Sequence, residues 1–77
     1  MEFIADLNKV EDVKEFVRYA EIYDTDILVS TPNRKFTVDG SSLMGLFSLD
    51  LNHPVIVHIS DKEAGEEFKE DVKKFVM

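Results

Sequence analysis

Apolar residues recur along this chain at two spacings, and each change of spacing marks an element. Residues 2 to 7, EFIADL, are apolar enough for a strand. Asn8 then opens a helix: its side chain can cap the first free N–H groups, and Glu11 stands three residues on, as in a capping box. Val10, Val13, Phe16, Val17 and Ala20 follow at helical spacing, with Lys14, Glu15, Arg18 and Glu21 mostly elsewhere on the wheel. The expected helix spans residues 9 to 23. TDILVS, residues 25 to 30, is rich in strand formers. Pro32 and Asn33 suit the centre of a turn, and KFTVD alternates after it, Phe36 and Val38 on one side and Lys35, Thr37 and Asp39 on the other. That is a hairpin with one face in a core and one in water.

DGSSLMGLFSLDL, residues 39 to 51, breaks the alternation with a short helix over residues 42 to 49. Two turns cannot bury Leu43, Met44, Leu46, Phe47, Leu49 and Leu51 together. Leu43, Leu46 and Leu49 suit the core, and Met44 and Phe47 lean outward. A methionine beside an aromatic on a small exposed helix fits a partner-docking patch, although both could also tuck under neighbouring loops. The serines before it read first as caps. Pro54 then marks entry to another strand, in which Val55, Val57 and Ile59 point one way and Ile56, His58 and Ser60 the other. Ser60 and Glu63 form a second capping-box pattern. Ala64, Phe68, Val72, Phe75 and Val76 stripe the last helix, outside which Glu70 and Lys74 make a favourable i,i+4 pair. The order is strand, helix, strand, strand, helix, strand, helix. Three apolar helix stripes need one sheet face to cover, so the expected fold is a two-layer α+β domain: a four-stranded, largely antiparallel sheet with all helices on one side.

Composition narrows the function more than the fold. The 77 residues suffice for one small domain, residues 1 to 77, with a thin core. The formal charge of −7 repels phosphate backbones and anionic lipids, which disfavours nucleic acid and membrane surfaces as partners. There is no cysteine, hence no disulfide and no thiolate metal site. No apolar stretch is long enough to span a bilayer and MEFIADLNK lacks the features of a signal peptide, so the expected location is cytoplasmic. No Walker-type or dinucleotide glycine loop is present, and Ser plus His makes no triad without a third group and an oxyanion hole. His53, in a polar turn, and His58, facing the open side of the sheet, read as surface histidines. They lack the further ligands a metal would need. The expectation is a protein that is not an enzyme and takes no cofactor.

FTVDGSSLMGLFSLDL followed by PVIVHISDKEAGEEFKEDVKKF resembles the C-terminal half of HPr, the histidine-containing phosphocarrier of the bacterial sugar phosphotransferase system. Ser42-Leu43-Met44-Gly45-Leu46-Phe47-Ser48-Leu49 is similar to the family's short-helix motif. The resemblance implies an open-faced β-sandwich of βαββαβα order. It also implies that Leu43, Met44 and Phe47 form a docking surface for enzyme I, for an HPr-kinase-like protein or for a regulator. Ser42 would be a regulatory phosphorylation site. In the family, the first long helix follows Gly-Leu-His-Ala-Arg-Pro-Ala, whose histidine carries the phosphoryl group. On this chain the motif falls on LNKVEDV, with Lys9 at the histidine position, Glu11 at the arginine and Asp12 at the proline. A lysine ammonium is a poor phosphoryl acceptor. The lysine that precedes the family's serine is here Ser41. The reading is therefore an HPr-like protein–protein interaction domain without the phosphocarrier histidine, switched at Ser42. The alternative is a phosphotransferase-system carrier using another acceptor. A third reading, a small-molecule or metal binder, would centre on His53 and His58.

Overall fold

A computed structural model describes residues 1–77. The elements are β1 (Glu2–Ala5), α1 (Val10–Ala20), β2 (Ile27–Ser30), β3 (Thr37–Asp39), α2 (Leu43–Phe47), β4 (Val55–Ile59) and α3 (Lys62–Asp71), with a 3₁₀ turn over Lys73–Phe75. The strands form one antiparallel sheet in the order β1-β4-β2-β3. Its register sorts residues into two faces. Phe3, Val57, Val29 and Val38 form a row across the core face. Glu2, His58, Leu28 and Asp39 form one row on the open face, and Ile4, Ile56, Ser30 and Thr37 another. Period-two alternation produces this sorting, because successive strand side chains point to opposite faces.

The helices cover the core face. Phe68 of α3 is fully buried at its centre, edge-on to Phe16 of α1 at 5.1 Å and to Tyr23 at 5.6 Å, and tilted against Phe3 of β1 at 6.3 Å. Burying a ring of this size contributes about 1.5–3 kcal/mol, and edge-on pairing adds to it. The tail closes one edge of the sheet. Val76 bridges to Ala5, Met77 N–H donates to Ile4 O (2.9 Å), and Asp6 N–H donates to Phe75 O (2.8 Å).

Several local expectations need correction. Lys9, not Asn8, is the N-cap of α1, and neither offers a side-chain cap; the helix ends at Ala20 rather than Tyr23. Ser60 does not cap α3: Asp61 Oδ1 accepts from the amides of Glu63 (3.0 Å) and Ala64 (3.3 Å). Glu70 pairs with Lys73 instead of Lys74 (3.1 Å), because α3 gives way to the 3₁₀ turn and Lys74 swings to Glu15 of α1 (2.7 Å). Phe36 is 63% exposed, since β3 begins only at Thr37. Val10 and Leu43, expected in the core, are both exposed. Each is the first residue of its helix, and a helical Cβ leans toward the N-terminus, so these side chains reach past the helix start.

Candidate functional site

The serine pair performs two separate local tasks. Ser42 is extended, and its Oγ accepts from Gly45 N–H at 3.0 Å, the N-cap bond of α2. Ser41 donates both its amide (2.9 Å) and its hydroxyl (2.7 Å) to Asp39 Oδ1. Those two bonds hold the Asp39 carboxyl below its ordinary value, the backbone bond contributing most. Gly40 between them approaches β2 so closely that its N–H reaches Ile27 O at 2.6 Å. A Cβ there would stand 2.8 Å from Ile27 Cγ2 and 3.0 Å from that same oxygen. The start of α2 is thus positioned by three bonds that need an aspartate, a glycine and a serine in this order.

α2 turns Leu46 into the core, with Leu49 buried just past its end, and presents Leu43, Met44 and Phe47 outward. Met44 is 86% exposed, Phe47 44% and Leu43 37%. Phe47 also lines a concavity of about 300 Å³ between α2 and the start of α1, together with Lys9, Val10, Val13, Leu49 and Asp50. The structure therefore brings Lys9 and Phe47 to one depression, at the far end of α2 from Ser42. Glu11 and Asp12 follow Lys9 in the first turn of α1. The exposed Val10 extends the apolar surface. Helical spacing alone assigns it to the buried stripe, and only the observed helix start at Val10 turns it outward.

The histidines are elsewhere and apart. His53 follows α2 in the connection to β4, with Nε2 3.7 Å from Asp50 Oδ2. His58 is on the open sheet face, with Nδ1 3.3 Å from Glu2 Oε2. Glu2 is also clamped by both Nη atoms of Arg34, at 3.0 and 2.9 Å, which reaches over the open face from the β2–β3 turn. That pair of hydrogen bonds from the guanidinium holds the Glu2 carboxyl down at about 2. Arg34 itself has φ 60°, the left-handed region. No group of three or more His, Asp or Glu side chains converges on a point that could hold a metal ion. No helix is long and apolar enough to cross a membrane.

No family model matches the chain, and no curated protein matches it. Among solved structures, it is similar to the crystal structure of a phosphocarrier protein HPr from Bacillus anthracis str. Ames, with a TM-score of 0.71 over 100% of this chain and 96% of that one. The two sequences are 21% identical, so the likeness shows the fold: an α+β open-faced sandwich, a four-stranded antiparallel sheet under three helices.

Proposed function

We propose that this chain is a regulatory protein–protein interaction domain of HPr type, which docks its partner through Leu43, Met44 and Phe47 and does not relay a phosphoryl group between proteins. The observation that carries this reading is Met44, a large apolar side chain left 86% exposed beside two more on a helix whose other large apolar residue, Leu46, is buried. Leu46 and Leu49 anchor the helix, so the outward residues form a preorganised surface rather than a mobile one. Lys9 at the N-cap of α1 supports the second half of the reading. There, where the resemblance puts the transfer histidine, the chain offers an ammonium followed by two carboxylates, and neither histidine lines that depression. Ser42 would be the switch. A phosphate on its oxygen adds about −1.5 to −2 charges and alters the α2 cap one residue from the docking surface.

The test is direct binding to purified enzyme I, HPr-kinase-like and catabolite-regulator proteins on a biosensor surface. At least one should bind the wild-type chain and lose Met44→Ala, and Ser42→Asp should change that affinity. A partner that binds Met44→Ala as well as wild type defeats the docking surface, and indifference to Ser42→Asp defeats the switch. Incubation with phosphoenolpyruvate and enzyme I separates the alternative: acid-labile phosphate on any residue would make the chain a carrier with another acceptor.

A further inference from the structure

Phe36 is the aromatic residue that neither the core nor the docking surface uses. It stands 63% exposed and makes no contact with another ring or with a cation. It forms one wall of a cleft of about 520 Å³, a volume in the range that holds small ligands. Pro32 and Asn33 of the β2–β3 turn continue that wall. Asp50 and His53 of the α2–β4 connection face it, with Leu49 between.

The wall is built rather than loose. Thr31 N–H donates to Phe36 O (3.1 Å) and Arg34 N–H to Thr31 O (2.8 Å), closing the turn. Asn33 Oδ1 accepts from the Thr31 hydroxyl (2.6 Å) and from Lys35 N–H (3.0 Å), which fixes its amide and leaves the Nδ2 donors without a protein partner. Arg34, the nearest guanidinium in sequence, is held away on Glu2. No lysine or arginine lines the cleft. Its one carboxylate is Asp50, which accepts a single bond, from Asn52 N–H (3.1 Å), and meets His53 only at 3.7 Å.

We propose that this cleft binds a small planar cation, a guanidinium or amidinium, stacked on the Phe36 ring and paired with Asp50. An aromatic face attracts a cation through its quadrupole, and a flat cation stacks on an exposed ring. The carboxylate supplies the opposite charge, and the chain's net charge of −7 raises the local concentration of cations over anions. Two sources share this chemistry: a free amidine or guanidine, and an arginine side chain of a peptide.

Amide NMR titration of the full chain tests it, with benzamidine and acetyl-arginine amide as probes and benzoate as the anionic control. Saturable shifts should appear at Asn33, Phe36, Asp50 and His53 with both cations and be absent with benzoate. Asp50→Asn keeps an oxygen for Asn52 and should weaken binding about threefold, the worth of an exposed ion pair. Phe36→Ala should weaken binding about two- to fivefold, the worth of an exposed cation–π contact, and Phe36→Tyr retain it; the amide spectrum of each variant reports that the fold is intact. Tighter binding of the arginine amide than of benzamidine identifies a peptide side chain as the occupant, and the reverse a free cation. No saturable shift, equal shifts with benzoate, or binding undiminished in Phe36→Ala overturns the proposal.

Discussion

Met44→Ala and Phe47→Ala separate docking from folding, because the structure assigns them unequal costs. Truncating a fully buried Phe costs about 3–5 kcal/mol. Phe47 is 44% exposed, its ring sharing a depression with Val10, Val13 and Leu49, so just over half of that applies, about 2 kcal/mol. Met44 is 86% exposed, which places its truncation within about 0.5 kcal/mol of zero, and alanine's helix preference offsets part of even that. In a chain of this length 1 kcal/mol shifts Tm by about 4–8 °C. Circular-dichroism melts should therefore put Phe47→Ala about 8–16 °C below wild type and Met44→Ala within about 4 °C of it. Partner capture should be lost in both. The informative variant is Met44→Ala: lost binding at unchanged Tm isolates a contact surface. A Met44→Ala protein that melts as low as Phe47→Ala refutes the exposure argument, and one that melts like wild type and still binds refutes the docking surface.

Other consequences are equally measurable. Gly40→Ala forces a Cβ against Ile27 Cγ2 and the Ile27 carbonyl, and should cost about 1–3 kcal/mol in urea unfolding; an unchanged midpoint would mean that the approach of this loop to β2 is not tight. Asp61→Ala should cost about 1 kcal/mol through the lost cap of α3, whereas Ser60→Ala should cost close to nothing, and the opposite ranking would return the cap to Ser60. The Glu2 carboxyl should titrate at about 2 by carbon NMR, because the Arg34 bonds favour its charged form. With the folded value lowered from 4.5, whatever stability this group adds is complete above about 4.5 and is lost as pH falls through about 2. A midpoint near 4.5 would show that the Arg34 clamp does not persist in solution.

What could be read without coordinates follows from how each signal arises. The sheet faces were legible, since Val55, Val57 and Ile59 alternate with Ile56 and His58 over a full strand and period two admits one solution. The strand order β1-β4-β2-β3 rests on pairings distant in the chain, which local pattern does not encode. Caps failed by one residue at both long helices: a box motif tolerates a shift, and Asp61 competes with Ser60 for the same amides. Phe36 had the right parity with Val38 and still fell outside the core, because parity says which side a residue faces and not how far the covering layer extends. Within the candidate site, the outward Met44 and Phe47 followed from the limited area under a two-turn helix. The depression that Phe47 shares with Lys9 needed the packing of α1 on α2, and the clamp of Glu2 by Arg34 joins residues 32 positions apart, with no trace in either neighbourhood.

The pairing of Val76 with Ala5 governs how copies of this chain can meet. The molecule's own tail covers the end of the β1 rim, at Ile4 and Ala5, whereas the three residues of β3 form a rim with no strand beside it. Strand-to-strand joining across β3 uses that rim up in both molecules at once, so a pairing of this kind closes at two copies.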